Sequence, residues 1–145
     1  MPSPKKDRQS VDPSMIIKDR LYTIRHDLLK PEHFENITAI FNLSDKKDLV
    51  LNPEKYIYTY WMTDKNVDED IFFAIIRYCS ALMKCDNQRV LLIGYQDAVD
   101  TMAACVVREY TGCDAKIALE VTRASRPFCL TKSELIETVF NYKIS

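Results

Sequence analysis

Three aspartates have a spacing that could support metal chemistry. Asp97 and Asp100 lie three residues apart, so a helix that begins near them would carry both carboxylates on one side. With Asp64 they would form a carboxylate cluster, and oxygen ligands of this kind suit Mg²⁺ or Ca²⁺. One hypothesis is therefore a carboxylate-metal-dependent enzyme. The alternative for Asp97 and Asp100 is a plain structural role, because aspartate is favoured at the start of a helix.

The segment that holds Asp97 and Asp100 has the pattern of a strand, a tight loop and a helix. Residues 90–93 are all apolar and predict a short strand that is buried on both faces. Gly94, one of two glycines in the chain, would make the tight turn. Apolar residues at helical spacing then predict a helix over 98–110 that stops at Gly112. In α/β folds such a junction faces a pocket beyond the end of the strand.

The rest of the chain supplies the elements that would surround this junction. The patterns predict a hairpin over 16–24, a short helix from Pro31, strands over 37–44 and 56–62, and helices over 67–84, 114–124 and 131–142. Ile117 is among the apolar positions predicted to face the core. This order of elements predicts an α/β fold with a central, mostly parallel sheet flanked by helices.

The segment from residue 90 to residue 101 resembles the active-site segment of the cysteine-dependent protein tyrosine phosphatases, especially the dual-specificity kind. That family has the pattern Val-hydrophobic-Val-His-Cys-x-x-Gly-x-x-Arg-Ser/Thr, followed by an amphipathic helix. Here Ile93 stands at the histidine, Gly94 at the nucleophilic cysteine, and Asp97 at the loop glycine. Asp100 stands at the phosphate-binding arginine and Thr101 at the Ser/Thr. The sequence therefore resembles a degenerate member, a pseudophosphatase.

Weaker matches extend the resemblance over most of the chain. A strand ends in Asn42-Leu43-Ser44, Asp64 matches the general acid, and Arg126-Pro127 matches an Arg-x-x-Arg-Pro stretch. The resemblance implies a phosphatase-like domain over residues 15–145. It also implies one degenerate pocket, formed by Asp64, Ile93, Gly94, Tyr95, Gln96, Asp97, Ala98, Val99, Asp100, Thr101 and Arg126.

Two substitutions within this pattern predict that the domain is not an enzyme. A thiolate nucleophile needs a cysteine, and Gly94 has no side chain. Asp100 would place an anion where phosphate binding needs a cation. Like charges roughly 4 Å apart repel by about 1 kcal/mol in water and about 4 kcal/mol at an effective dielectric constant of about 20. We therefore expect no phosphate binding in this pocket. For a domain without catalytic activity, we also expect no metal and no cofactor.

The remaining function classes are a binding or regulatory module and a structural subunit of a larger assembly. Asp64, Asp97 and Asp100 would ring an acidic hollow with Tyr95 and Trp61 near its rim. Such a hollow would attract a basic segment of a protein partner through charge and cation–π contacts. The first hypothesis is therefore a pseudophosphatase that binds a partner in this way.

Composition predicts an ordinary globular domain that follows a disordered leader. The 145 residues are 47% hydrophobic and 28% charged, and residues 1–14 are rich in Pro, Ser, Lys and Asp. The net charge of −1 gives no electrostatic case for binding nucleic acid or an anionic membrane, and no apolar run is long enough to span one. Five cysteines, an odd number without metal-ligand pairing, predict reduced thiols in the cytoplasm or nucleus.

Overall fold

The structure is a computed structural model, and it describes residues 12–44, 57–60, 69–85 and 87–145. In this part of the chain the strands are β1 (Ser14–Ile17), β2 (Leu21–Arg25), β3 (Ala39–Asn42), β4 (Ile57–Tyr60) and β5 (Val90–Gly94). The α-helices are α1 (Glu69–Met83), α2 (Gln96–Thr111), α3 (Ala115–Ser125) and α4 (Ser133–Asn141). Two short 3₁₀ turns, His26–Leu28 and Pro31–Phe34, lie between β2 and β3.

The strands form one sheet in the order β1-β2-β5-β3-β4. The β1–β2 hairpin is antiparallel, and the other pairs are parallel, so the predicted mostly parallel sheet is confirmed. In the parallel register Arg25 pairs with Gly94, and Asn42 pairs with Ile93. The carboxyl ends of β2, β3 and β5 therefore meet at the same edge of the sheet.

The two faces of the sheet are covered unequally. Alternate β5 residues contact opposite sides, as a pleated strand buried on both faces requires: Val90 and Leu92 join one core cluster, Leu91 and Ile93 the other. All four described α-helices pack on the first face. The second face is covered by apolar residues in and around the two 3₁₀ turns, Leu28, Leu29, Phe34 and Ile37.

Local signals set the boundary between α2 and α3. Gly112 has the left-handed φ of 76°, and its N–H donates to the carbonyl of Arg108 at 2.8 Å, which ends α2. The carboxylate of Asp114 accepts from the N–H of Ile117 at 2.9 Å and caps α3. The predicted stop and start are confirmed. The inward orientation of Ile117 is wrong, because Ala115, Ala118, Leu119 and Thr122 form the buried stripe and Ile117 is exposed.

The described part of the chain begins just before β1, which starts at Ser14. Most of the predicted leader, residues 1–11, lies outside the described residues. So do residues 61–68, which contain Asp64 and Trp61. Among the helices that the structure describes, none is long and apolar enough to cross a membrane.

Candidate functional site

Gly94 ends β5 at the sheet edge where the predicted pocket lies. A Cβ atom at this position would lie 3.0 Å from Val99 Cγ2 and 3.2 Å from Leu43 Cβ. Both distances are shorter than the roughly 3.5–4.0 Å at which carbon atoms pack. The interpretation as a tight-turn glycine is wrong, because Gly112 and not Gly94 has a positive φ. Glycine is needed at position 94 because two neighbours pack directly against its backbone.

The Asn42-Leu43-Ser44 motif explains why Leu43 lies so close to Gly94. The side-chain oxygen of Asn42 accepts from the N–H of Ser44 at 3.1 Å and from its hydroxyl at 2.7 Å. The N–H of Leu43 donates to the carbonyl of Ile93 at 2.6 Å. All three residues of the motif are buried. The turn after β3 is thus fixed from both sides, and Leu43 is held over the end of β5.

A single residue, Tyr95, separates β5 from α2. The helix begins at Gln96, two residues earlier than predicted, and the N–H of Val99 donates to the carbonyl of Tyr95 at 2.9 Å. An anion-binding loop needs consecutive N–H groups that converge on one point. Here the N–H of Val99 is already committed to a helical hydrogen bond. The N–H of Val99 is therefore not directed toward a ligand beyond the end of β5.

The carboxylate of Asp100 is buried and paired within the chain. Its side chain is 1% exposed, and the Nε of Arg126 lies 2.7 Å from one carboxylate oxygen. The amide nitrogen of Gln96 donates to the other oxygen at 2.7 Å. Burial raises the pKa of Asp100, and the Gln96 hydrogen bond and the Arg126 charge act in the opposite direction. Arg126 also donates to the hydroxyl of Ser14 at 3.3 Å, so the pair joins α2 to the chain after α3 and to β1.

Asp97 lies in the first turn of α2 and pairs with a different cation. The Nζ of Lys132 is 2.9 Å from its carboxylate, and both side chains are at least half exposed. The hydroxyl of Thr101 donates to the carbonyl of Asp97 at 2.7 Å, within the helix. These contacts agree with the structural alternative, in which Asp97 is a helix-start residue.

Burial of Asp100 removes one of the charges expected around an open acidic hollow. The prediction that Asp97 and Asp100 together face such a hollow is wrong, because each carboxylate is neutralised by its own cation and Asp100 is shielded from solvent. Among the described residues, no group of three or more His, Cys, Asp or Glu side chains is placed to hold a metal ion. Asp64 and Trp61, the other members of the predicted hollow, lie outside the described residues.

Few of the other predicted pocket residues reach solvent. Tyr95 is 42% exposed, and its ring packs edge-on against the ring of His26 with centroids 4.8 Å apart. Gln96 and Ala98 are half-buried, whereas Ile93, Gly94, Val99 and Thr101 are buried. The structure therefore brings the predicted residues together, but as a packed junction of strand, helix and loop.

Several residues of this junction were not predicted from the sequence. Lys132 lies far along the chain from Asp97, and no local pattern signals their pairing. Cys129 lies near Asp100, and burial together with that charge raises the pKa of its thiol to about 11, although Arg126 and Arg123 lower it. The sequence predicts Leu43 only as part of the Asn42-Leu43-Ser44 motif. Its contact with Gly94 joins two distant parts of the chain, and no local sequence pattern indicates it.

Comparisons with known proteins identify the fold. No model of a protein family and no curated protein matches the sequence. Solved structures do match, among them DUSP15 with a TM-score of 0.73 at 14% identity, covering 90% of this chain and 86% of that one. A human tyrosine phosphatase-like serine/threonine/tyrosine-interacting protein matches with a TM-score of 0.71 at 11% identity, covering 90% and 94%. Tk-PTP in its active form matches with 0.69 at 15% identity, covering 88% and 93%.

The chain therefore has the fold of the dual-specificity and protein tyrosine phosphatases. The resemblance predicted from residues 90–101 and from the order of elements is confirmed at the level of the fold.

Proposed function

We propose that this chain is a catalytically inactive, phosphatase-like domain that acts by binding a protein partner. It is a pseudophosphatase with a regulatory or interaction role. The proposal concerns a chain with the phosphatase fold whose residues differ from the family pattern at the nucleophile and at the phosphate-binding cation.

The observation that carries the proposal is the packing around Gly94. In the family pattern this position holds the cysteine nucleophile. Here Val99 and Leu43 occupy the volume into which any side chain at position 94 would project. Glycine supplies no thiol, and a cysteine here would place its Cβ 3.0 Å from Val99 Cγ2 and 3.2 Å from Leu43 Cβ, so we infer that the covalent step of phosphoryl transfer has no nucleophile at this position.

The surroundings of Gly94 support the same proposal. A phosphoryl group needs a cation and converging N–H groups. At the position of the cation stands Asp100, whose partner Arg126 is already held by the carboxylate at 2.7 Å. The thiol of Cys129 interacts with Asp100, and burial together with the Asp100 charge raises its pKa to about 11. It is therefore protonated at neutral pH and a poor substitute nucleophile.

A carboxylate-metal enzyme is less well supported by the same contacts. Its ligands would include Asp97 and Asp100, and each already forms an ion pair within the chain. Binding of a divalent ion would have to break a buried pair, which costs several kcal/mol. No described contact favours a purely structural subunit over a partner-binding module.

The proposal includes a location in the cytoplasm or nucleus. All five cysteines are free thiols, and three of them, Cys79, Cys105 and Cys129, are buried. Reducing compartments maintain cysteines in this state. One of the matched structures is that of a human tyrosine phosphatase-like serine/threonine/tyrosine-interacting protein, and a binding role for this chain accords with that match.

The proposal is tested first by measuring hydrolysis of a generic aryl phosphate. We expect no turnover above a buffer blank, with or without a millimolar divalent cation. The variant Asp64→Ala serves as the matched control, because Asp64 stands at the family's general acid. Turnover that disappears in this variant would overturn the proposal.

A second measurement concerns the binding role. Tagged chain is used to capture proteins from the native source, with a heat-unfolded sample of the same chain as control. We expect at least one protein that is retained only by the folded chain and that binds it directly when purified. Absence of any direct binder would contradict the partner-binding part of the proposal and leave the inactivity untouched.

A further inference from the structure

An open cleft of about 370 Å³ lies between the first turns of α1 and one face of α4. Its aromatic lining comes from Phe72 and Phe73 of α1 and from Tyr142 just after α4. The rings of Phe73 and Tyr142 meet edge-on with centroids 5.5 Å apart, so the wall is held in place by the core. None of the residues that line the cleft belongs to the Gly94 junction, although Glu134 is two positions from Lys132, which pairs with Asp97 there.

The charged groups of the cleft have one sign. Glu134 and Glu137 of α4 line it, and both are exposed to solvent. The described residues that line the cleft include no lysine or arginine, and neither glutamate has a described salt bridge within the chain. Lys132, which pairs with Asp97, also lies close enough to Glu134 to interact with its charge. An aromatic wall beside two exposed carboxylates is complementary to a cation with an apolar stem.

The nearest described guanidinium on α1 does not occupy the cleft. The Cζ of Arg77 lies 5.7 Å from the centroid of the Phe73 ring, within the range of a cation–π contact. Arg77 does not line the cleft, and it lies close enough to Glu109 to act on that carboxylate. The cleft side of the aromatic wall and the exposed carboxylates of Glu134 and Glu137 therefore remain accessible to an outside cation.

We propose that the cleft between α1 and α4 docks a segment of a partner protein that presents an arginine between apolar side chains. The guanidinium lies between the two glutamates and the aromatic wall, and the neighbouring apolar residues pack on Phe72. Arginine suits this site better than lysine, because its planar group both stacks on rings and bonds carboxylates in pairs. The proposal rests on the binding role proposed above and names the surface and the chemistry that this role uses.

The closed junction at Gly94 strengthens the assignment to α1 and α4. A basic segment was expected from the sequence because three aspartates were predicted to face one hollow. Asp97 and Asp100 are instead paired with Lys132 and Arg126. Glu134 and Glu137 offer what those aspartates do not, namely accessible negative charge beside aromatic rings.

The test uses a synthetic peptide of alternating leucine and arginine as the probe. A second peptide, in which citrulline replaces each arginine, keeps the shape and hydrogen-bonding groups and lacks the charge. Affinity is measured by fluorescence anisotropy with the full chain. Amide chemical-shift changes in the full chain locate the site. We expect saturable binding of the arginine peptide, shifts confined to α1 and α4, and at least tenfold weaker binding of the citrulline peptide.

Matched variants assign the interaction to individual groups. Glu134→Gln with Glu137→Gln should weaken binding about tenfold, because the double substitution removes two exposed ion pairs with the peptide. Glu120→Gln removes the same charge from an exposed position on α3 that does not line the cleft, and it should leave the affinity unchanged. Phe72→Leu keeps an apolar side chain and should weaken binding about two- to fivefold through the lost ring.

Four results would overturn the proposal: no saturable binding, equal binding of the two peptides, unchanged affinity in the double glutamine variant, or shifts centred on Asp97 and Tyr95. The glutamates are exposed, so an unchanged melting temperature verifies that the variants are folded. None of these results touches the inactive-domain proposal, which fails separately if the chain hydrolyses an aryl phosphate.

Discussion

At the scale of single residues, Gly94 is defined by what surrounds it. Val99 Cγ2 and Leu43 Cβ lie where a Cβ atom would make contacts at 3.0 and 3.2 Å. Alanine, which adds only a methyl group, is therefore sufficient to test whether Val99 and Leu43 pack against Gly94. Both neighbours are buried, so neither can turn away from an added methyl group without displacing other core residues.

We expect Gly94→Ala to lower the free energy of unfolding by about 1–3 kcal/mol, as overpacking of a core typically does. Thermal and denaturant unfolding measure this change. In a Val99→Ala background the closer contact is absent, so the same substitution should have a smaller effect. A double-mutant cycle in which the two changes are simply additive would mean that Val99 does not occupy the space beside Gly94.

At the scale of elements, two ion pairs fasten the first turns of α2 to the loop between α3 and α4. They differ in environment: the Asp100 side chain is 1% exposed and that of Arg126 23%, whereas those of Asp97 and Lys132 are 50% and 60% exposed. Removing one partner of a buried ion pair strongly destabilises the folded chain, because the other charge is left buried without compensation. An exposed pair contributes about 0–1 kcal/mol.

We expect Asp100→Arg to destabilise the chain by about 3–5 kcal/mol, because it sets a second buried cation against Arg126. Asp97→Arg is the matched control, and it should change stability by no more than about 1 kcal/mol. Adding Arg126→Glu to Asp100→Arg should recover part of the loss by reversing the pair. Similar losses for Asp97→Arg and Asp100→Arg in denaturant unfolding would contradict the difference in burial.

At the scale of the whole molecule, the chain has a phosphatase fold in which Asp100, at the position of the family's phosphate-binding cation, pairs with Arg126 of the same chain. A ligand that binds the folded state at one hundred times its dissociation constant adds about 2.7 kcal/mol to stability. We expect millimolar inorganic phosphate to leave the melting temperature unchanged relative to sodium chloride of equal ionic strength. A concentration-dependent rise that is abolished by Arg126→Gln would mean that the Asp100–Arg126 pair opens to admit anions.

The sequence predicts those parts of the molecule that depend on near neighbours in the chain. β5 follows from four consecutive apolar residues, and the boundary at Gly112 and Asp114 follows from residues that act within one helical turn. The Asp97–Lys132 and Asp100–Arg126 pairs depend on contacts across the fold. The first of these pairs joins residues thirty-five positions apart. The sequence alone does not reveal the cations that pair with Asp97 and Asp100, so both aspartates were treated as unpaired. The prediction of an acidic hollow was wrong for this reason.

The shared volume at Gly94 also limits the mutational paths that are open to the chain. A cysteine at position 94 would bring its Cβ to 3.0 Å from Val99 and 3.2 Å from Leu43, and Leu43 is held by the turn that Asn42 and Ser44 close. An arginine at position 100 would face Arg126. We expect each of these substitutions, made alone, to lower stability. Because natural proteins lie only just above the stability that function requires, changes at positions 94 and 100 should be accepted only together with changes in their neighbours.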